Sequence, residues 1–414
     1  MSLQVTPTKG MKDFMPSEAI IREKARKIIF DTYMSFGFSP VETPSVEHLH
    51  LLNNGEGGDN EKLIFKILKR GDKLKNITNI DSLSDSALRY DLTVPLSRFY
   101  SNNQGNLPKP FKAIQMGHVF RAERPQKGRF RQFVQCDIDI LGEDSIYAET
   151  DLLMASSTAL KNLGLKETEI KINDRRILFA IAKYCGFKET EYNSFFITLD
   201  KLDKIGSSGI IDELLKNGYD QKRVDKVKKI IEQFENRSVT IDELDDFIEN
   251  SIPENVKKDL KQIIDVVLGN NQPIKFDPVL VRGMSYYTGT IFEFKYRDYP
   301  GSVGGGGRYD KMIEKMVGKS VPACGFSIGF ERIMILLKEE NIEFDDRKEE
   351  VALLFSEDDD LTSVYKKTKE LINKNYNVSN LKQGKKLGKQ LKNLKLQGFS
   401  LYCIFSEGEI KELK

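Results

Sequence analysis

The sequence predicts an α+β fold, and three segments carry this prediction. Residues 111–142 contain two runs of alternating polar and apolar residues around a basic turn, which is typical of a long antiparallel hairpin. Residues from about 175 to 267 are dense in Lys, Glu and Asp, poor in Gly and spaced as helices, which indicates a helical insertion. After residue 350, strand-like and helical runs alternate, which predicts a small separate α/β domain.

Composition narrows the class of protein. The 414 residues are enough for two or three domains, and 39% of them are hydrophobic and 30% charged. We find neither an apolar run long enough for a bilayer nor a signal-peptide pattern, so we expect a cytoplasmic protein without a membrane partner. The four Cys and three His form no ligand motif, so neither a protein-only metal cage nor a disulfide framework is expected. A net charge of +2 does not by itself argue for nucleic acid.

The elements follow in chain order. Apolar spacing predicts a helix over residues 17–33, which Gly37 stops, and then a strand over 39–44. The other elements predicted before residue 341 are strands at 64–68, 87–90, 111–123, 130–141, 167–173 and 290–294, and helices at 92–100, 144–163 and 332–340. We therefore divide the chain into a main domain over 1–340, a charged linker over 341–350 and a tail domain over 351–414.

Two clusters combine Gly, Arg and Tyr. Residues 282–289 read Arg-Gly-Met-Ser-Tyr-Tyr-Thr-Gly, and residues 304–310 read Gly-Gly-Gly-Gly-Arg-Tyr-Asp. Arginine presents a rigid fork of donors that fits phosphate or carboxylate, and glycine lets backbone approach a ligand. The clusters therefore predict a pocket wall for an anionic ligand with a flat group. The glycine run is neither a Walker loop nor a dinucleotide fingerprint, which argues against a parallel-sheet nucleotide fold.

The hairpin carries a polar face. Arg121 and Glu123 lie two residues apart on the predicted first strand and so share a face. They are either an ordinary exposed pair or, beside Gln135, Asp137 and Asp139 of the second strand, the floor of a polar pocket that a ligand must satisfy.

Two further positions also allow two interpretations each. Arg332 begins a helix after Gly325 and Gly329, and is either a helix-start salt bridge or a phosphate clamp. Asp91 and Thr93 follow a strand, and either hold an ammonium group or cap the next helix.

Taken together, these segments resemble class II aminoacyl-tRNA synthetases, and specifically the histidyl enzymes. The class motifs match residues 37–44, 120–133 and 325–332, and the clusters at 282–289 and 307–310 look like the two histidyl signatures. The class motifs are loose, whereas the two signatures are highly specific. The resemblance spans essentially the whole chain. It implies a catalytic domain with a mixed, mainly antiparallel sheet and flanking helices, a helical insertion, and a C-terminal anticodon-binding domain.

The resemblance also implies a reaction and its residues. Histidine is activated with ATP and Mg²⁺, and is then transferred to the 3′ end of the histidine tRNA by a homodimer formed through the first motif. Arg121 and Arg282 would be the catalytic cations at the α-phosphate. The other residues implied for ATP are Glu123 at the adenine amino group and Arg332 with Gly329 at the γ-phosphate side. Those implied for histidine are Asp91, Thr93 and Gln135 at the ammonium and Asp139 and Tyr287 at the ring, with Tyr286 and Tyr309. Those implied for the tRNA acceptor end are Gln126, Lys127 and Arg129.

The chain departs from the family pattern at several points. Ser285 stands where many members carry Asp, and Asp91 and Asp139 stand where some branches carry Glu. The family also continues with another strand and helix after the position that matches residues 400–405, so we expect a shortened anticodon domain. Its Lys-rich helix over 385–396 either contacts phosphate or is a solvated face.

Two other functions compete with an active synthetase. One is a synthetase-like regulatory subunit of histidine biosynthesis, which keeps the fold but does not charge tRNA. The other is a nucleotide-binding protein with no role in tRNA charging. The presence of Arg121, Glu123, Arg282 and Arg332 together with a basic tail favours the enzyme.

Overall fold

The computed structural model describes residues 5–53, 63–74, 79–126, 128–234, 239–282, 286–342, 344 and 348–413. Contacts divide the chain into two compact units, with the boundary between residues 342 and 343. In the part of the chain that the structure describes, we find no helix with the length and apolar character needed to cross a membrane.

An eight-stranded sheet forms the centre of the first unit. The strands of this unit are β1 (Ser39–Pro40), β2 (Val46–His48), β3 (Lys66–Leu68), β4 (Ser84–Leu88), β5 (Phe111–Phe120), β6 (Gln132–Leu141), β7 (Thr168–Asp174), β8 (Ile274–Phe276), β9 (Thr290–Tyr296), β10 (Gly304–Arg308) and β11 (Ala323–Gly329). The order in the large sheet is β1-β5-β6-β11-β10-β9-β7-β8, and β2, β4 and β3 form a small separate sheet. The outer pairs β1–β5 and β7–β8 are parallel and the pairs between them are antiparallel, so the predicted mixed, mainly antiparallel sheet is confirmed.

Helices flank this sheet. They are α1 (Pro16–Ser35), α2 (Leu49–Asn53), α3 (Thr93–Asn103), α4 (Tyr147–Asn162), α5 (Arg175–Cys185), α6 (Tyr192–Leu199), α7 (Leu202–Lys216), α8 (Gln221–Phe234), α9 (Ile241–Phe247), α10 (Glu254–Gly269), α11 (Asp310–Val317) and α12 (Phe330–Glu339). α1 packs against α4, where Asn162 donates to Thr32 Oγ1 at 2.9 Å. The segment read as helix-rich, 175–267, consists of α5 to α10 in its described part.

The hairpin of β5 and β6 is shorter than its sequence pattern predicts. β5 ends at Phe120, whereas alternation continued to Glu123. The reason is that Ala122 leaves the ladder and donates its N–H to the carbonyl of Leu63 at 2.8 Å. Arg121 and Glu123 therefore lie in the segment after the strand, which turns towards the loop that joins β5 to β6.

The second unit is a four-stranded sheet with a helix on each face. Its elements are β12 (Glu350–Phe355), α13 (Leu361–Asn373), β13 (Asn377–Lys382), α14 (Leu387–Leu396), β14 (Leu401–Ile404) and β15 (Ile410–Glu412), in the sheet order β13-β12-β14-β15. Alternate residues of β12 face opposite sides: Leu353 packs with Leu371 of α13, and Leu354 packs with Leu394 of α14. β15 was not predicted, because three residues with two charges carry no alternation signal.

Candidate active site

A cavity of about 260 Å³ lies over the middle of the eight-stranded sheet. Its lining comes from β6, β10 and β11, from the segments that follow β4, β5 and β8, and from the start of α12. The predicted site residues that line it are Asp91, Thr93, Arg121, Glu123, Arg129, Gln135, Asp139, Arg282, Tyr286, Tyr287, Tyr309, Gly329 and Arg332. Gln126 is not part of the lining, and Lys127 and Ser285 lie outside the described residues. One cavity thus brings together residues from distant parts of the chain.

The polar floor of the cavity follows from the pleat of β6. Gln135, Asp137 and Asp139 alternate along the strand and face the cavity, while Cys136 and Ile138 between them are buried on the other face. Across β11 their partners are Gly329, Ser327 and Gly325, in that order. The two-faced strand predicted from the sequence is confirmed.

Glycine is needed at two points of this floor because side chains from other segments occupy the space beside it. A Cβ atom at Gly305 of β10 would lie 2.5 Å from the guanidinium carbon of Arg282, and one at Gly325 of β11 would overlap Asp139 Oδ1. Either side chain would displace the polar group next to it. The glycine run is therefore a strand that leaves room for Arg282, although no alternation in the sequence marks it as one.

Arg121 and Arg282 keep donors available to a ligand. Arg121 donates from Nε to the carbonyl of Tyr90 at 3.0 Å, and its guanidinium carbon lies 5.2 Å from the centre of the Phe133 ring. Arg282 reaches Glu293 Oε2 only at 3.4 Å from Nη1, and its buried Nε has no partner. A buried donor without a partner is costly, so this arrangement favours a bound acceptor.

Arg332 is the third cation of the cavity. It is the third residue of α12, and its Nη1 donates to the carbonyl of Ser302. Among the described residues, no carboxylate lies within ion-pair distance of Arg332, so the helix-start salt bridge is not formed there. Burial, followed by the nearby charge of Arg282, lowers the pKa of Arg332. A positive charge in that position is stabilised by an anion.

Glu123 is paired with the loop rather than with Arg121. The Nε of Arg129 donates to the carboxylate of Glu123, and the backbones of Gln126 and Arg129 bond to each other at 3.1 and 3.0 Å. The interpretation of Arg121 and Glu123 as an ordinary exposed pair is therefore wrong, because Glu123 is only 12% exposed and has another partner.

Three carboxyl groups are buried together in the cavity. Burial raises the pKa of Asp91 to about 6 and that of Asp139 to about 7, although a hydrogen bond from Tyr309 at 2.6 Å opposes the shift of Asp139. Burial, and then the charge of Asp139, raise the pKa of Asp137 well above its usual value. Asp91 Oδ1 accepts the N–H of Val94 at 3.2 Å, whereas its Oδ2 has no partner. Asp91 therefore caps α3 with one oxygen and leaves the other for a ligand.

Hydroxyl groups line another part of the cavity. The ring of Tyr286 lies 4.8 Å from that of Tyr287 and 5.9 Å from that of Tyr309, measured between ring centres. Burial raises the pKa of Tyr286 well above its usual value, and the neighbouring side chains of Tyr287 and Thr93 also influence it. This wall offers donors and acceptors to a small polar ring.

Arg308, in the second Gly/Arg/Tyr cluster, does not serve the cavity. Its Nε and Nη2 each donate to Glu149 at 2.7 Å, and its guanidinium also donates to the carbonyls of Glu143 and Ser145. The second cluster therefore contributes Gly304, Gly305 and Tyr309 to the cavity wall, but not its arginine. Neighbouring residues point to opposite sides of extended backbone, so Tyr309 lines the cavity and Arg308 does not.

A buried ion pair supports the segment that carries Arg332. Arg22 of α1 donates from both Nη atoms to Glu331 at 2.7 Å, and Glu331 also accepts the N–H of Val134 at 3.3 Å. The partners are 309 residues apart in sequence, and no local pattern indicated the pair. It fixes the first turn of α12 to α1 and β6.

Sequence reasoning placed Asp137 on the polar face but gave it no role, and it did not single out Ser327 or Glu293. The signal for Asp137 was its two-residue spacing from Gln135 and Asp139. Within the described residues, we find no group of three or more His, Cys, Asp or Glu side chains arranged to hold a metal ion.

Comparisons with known proteins agree on one family. Residues 10–333 match the family model described as histidyl-tRNA synthetase. The histidine–tRNA ligase of Leifsonia xyli subsp. xyli is 44% identical over 352 residues, which cover 82% of this chain and 81% of that protein. A probable histidine–tRNA ligase of Tropheryma whipplei is 39% identical over 411 residues, covering 97% and 95% of the two chains. The crystal structure of histidyl-tRNA synthetase from Nostoc sp. PCC 7120 matches with a TM-score of 0.80 at 26% identity, covering 99% of this chain and 97% of that one. The chain therefore belongs to the histidyl-tRNA synthetase family.

Proposed function

We propose that this chain is a histidine–tRNA ligase, which activates histidine with ATP and transfers it to the 3′ end of the histidine tRNA. The observation that carries the proposal is the lining of the cavity. It combines three arginines, none of which forms an ion pair shorter than 3.4 Å among the described residues, with acidic, amide and hydroxyl groups suited to an amino acid with a polar ring.

In the first step, an oxygen of the histidine carboxylate bonds to the α-phosphorus of ATP, and the bond from that phosphorus to pyrophosphate breaks. Negative charge develops on the α-phosphoryl oxygens, where fixed cations lower the barrier. We assign Arg121 to the carboxylate and the α-phosphate, and Arg282 to the α-phosphate from its place beside Gly305. The unpartnered Nε of Arg282 supports this assignment.

The remaining ATP contacts involve the junction of β11 with α12 and the loop that joins β5 to β6. Arg332 binds the γ-phosphate, and Gly329 leaves space for the nucleotide beside it. Glu123 accepts from the adenine amino group, which requires Arg129 to release it. Because Arg129 is 54% exposed, its ion pair is weak and readily exchanged. The released Arg129 is then available, with Gln126 and Lys127, to contact the acceptor end of the tRNA.

Mg²⁺ accompanies ATP in this proposal and neutralises phosphate charge. The described residues contain no three-ligand cluster, so the ion would be held chiefly by phosphate oxygens and water, as Mg²⁺ commonly is.

Histidine is held by complementary hydrogen bonds. Asp91 and Gln135 each have an unpartnered buried oxygen for the ammonium group, with Thr93 nearby. The ring needs one acceptor and one donor when neutral, which Asp139 and Tyr287 supply while Tyr309 orients Asp139. Tyr286 completes the wall. Amino acids whose rings lack these groups would leave buried polar atoms unpaired, and are rejected by about 10⁴-fold or more.

In the second step, the histidyl group passes from the adenylate to a ribose hydroxyl at the 3′ end of the tRNA, and AMP leaves. We assign the second unit to the anticodon. The six lysines of its Lys-rich segment are exposed: Lys382, Lys385, Lys386, Lys389, Lys392 and Lys395. Such a face suits phosphate contact. A homodimer formed through residues 37–44 is the expected assembly.

The regulatory-subunit alternative is not favoured. The curated relatives at 39–44% identity are histidine–tRNA ligases by name, and Arg121, Glu123, Arg282 and Arg332 all line the cavity. A nucleotide-binding protein without a tRNA partner does not account for the basic tail unit.

Histidine-dependent exchange between ATP and pyrophosphate, followed by charging of histidine tRNA, tests the proposal. Both activities are expected in the purified chain. Exchange without charging would contradict only the proposed transfer to tRNA and leave the proposed activation of histidine in place. Binding of ATP without histidine-dependent exchange would favour the regulatory alternative.

A further inference from the structure

Three acceptor atoms in the cavity are buried without a hydrogen-bond partner. They are Asp91 Oδ2, Gln135 Oε1 and Asp137 Oδ1, and all three residues line the cavity. Native proteins rarely leave such atoms unpaired, so a set of three points to a ligand that supplies donors. An ammonium group has three donors and no acceptor, which matches this set.

The hydroxyl group of Thr93, which is also assigned to the ammonium, is not among these unpaired buried atoms, and its backbone carbonyl accepts from Ser97. Of the residues assigned above to the ammonium, Asp91 and Gln135 therefore contribute two of the three unpaired acceptors. A third is needed to complete the group's hydrogen bonds.

Asp137 is placed to supply it. It lies on the cavity face of β6, two residues from Gln135, and is only 3% exposed. Its partner across β11 is Ser327, whose hydroxyl accepts from Gln135 Nε2 at 3.2 Å. Its partner across β5 is Gln115, whose amide is already used by the carbonyl of Leu92 and the hydroxyl of Thr43. The free oxygen of Asp137 is thus not satisfied by either neighbouring strand.

We propose that Asp137 is a further substrate-binding residue, whose carboxyl group takes the third hydrogen bond of the histidine ammonium beside Asp91 and Gln135. The inference rests on the proposed function, because it assumes that the cavity binds histidine. A bound ammonium favours the ionised form of Asp137 and of Asp91, which burial disfavours in the free protein, so the amino group is bound as a cation.

Two histidine analogues separate this role from others. Histidinol keeps the ammonium and the ring but lacks the carboxylate, whereas 3-(imidazol-4-yl)propionate lacks the ammonium. We would measure the affinity of each for the wild-type full-length chain, for Asp137→Asn and for Asp139→Asn by titration calorimetry. Asparagine preserves the shape of the side chain but cannot carry a negative charge. Asp139→Asn is the matched control, since it changes the neighbouring acid on the same face that we assign to the ring.

We expect Asp137→Asn to weaken histidinol by about tenfold to 100-fold, the range of a hydrogen bond to a charged group, and to leave the propionate unchanged. Asp139→Asn should weaken both analogues. Equal losses for both analogues in Asp137→Asn, or no loss of histidinol, would overturn the proposal. If Asp137→Asn does not fold, Asp137→Ser must give the same selective loss. A wild-type chain that binds neither histidine nor histidinol would instead refute the proposed function, and the inference with it.

Discussion

Replacing Arg282 with Ala removes the cation on which the proposed activation step depends most. The structure indicates a small effect on stability. The bond from Arg282 to Glu293 is long, at 3.4 Å, and Glu293 keeps Lys295 at 3.3 Å after the substitution. The Nε of Arg282 has no protein partner to lose. The carboxylate of Glu293 is therefore not left as an uncompensated buried charge.

The expected effect on catalysis is large. A preorganised donor aimed at developing charge contributes about 10²–10³ in rate, or about 2.7–4 kcal/mol. Arg282 offers several donors from a fixed position beside Gly305, so we expect histidine-dependent exchange in Arg282→Ala to fall by about 10³ or more. Histidine affinity should change little, because Asp91, Gln135 and Asp139 keep their positions.

The assay is pyrophosphate exchange at saturating ATP and histidine, combined with histidine titration and urea unfolding of the same preparations. Arg308→Ala is the matched control, because Arg308 belongs to the second Gly/Arg/Tyr cluster but binds Glu149 instead of facing the cavity. It leaves a buried carboxylate unpaired and should lower the free energy of unfolding by about 3–5 kcal/mol. Exchange at the wild-type rate in Arg282→Ala would refute the assignment.

Three further predictions concern other parts of the site. Gly325→Ala should raise the KM for histidine at least about tenfold with little change in the KM for ATP, because its Cβ overlaps Asp139 Oδ1; equal changes in both values would contradict this. The pKa values of Asp91 and Asp139 are raised in the folded state, to about 6 and about 7. The folded chain therefore binds more protons than the unfolded chain between about pH 4 and 7. The contribution of these two groups to the free energy of unfolding falls as the pH rises through that window. Asp139→Asn should therefore raise the urea midpoint relative to wild type at pH 8 and less so at pH 4.5, and an equal difference at both values would count against it. Arg22→Ala should lower the free energy of unfolding by about 3–5 kcal/mol and raise the KM for ATP, because it leaves Glu331 buried and unpaired beside Arg332; Arg26→Ala, which removes an exposed pair on the same helix, should do neither.

The sequence predicted the fold class, the hairpin and the polar face of β6 because these depend on alternation and helical spacing along short segments. It could not predict β10, because four successive glycines carry no side-chain pattern and their strand is fixed by the neighbours β9 and β11. The end of β5 was wrong for a similar reason, since the bond from Ala122 to Leu63 is non-local.

Within the site, the residue types in the sequence indicated the chemistry of the cavity, but they did not indicate which side chains pair with each other. Arg121, Arg282 and Arg332 line one cavity as expected, whereas Arg308 has the same sequence context and forms an ion pair with Glu149 instead. Local sequence cannot show which of two similar arginines will pair with a carboxylate that is distant in sequence. The roles of the lining residues stay predictions until the substitutions above are measured.

The pairing of Arg22 with Glu331 has a consequence for how the enzyme is made. Residues near the two ends of the first unit must meet before the helix that carries Arg332 is fixed, and closing so long a stretch of chain is slow. During synthesis the part of the cavity that we propose to bind the triphosphate therefore cannot form until almost the whole unit has left the ribosome. Truncations or fusions at the N-terminus that disturb α1 should yield chains that still bind histidine but have a lower affinity for ATP.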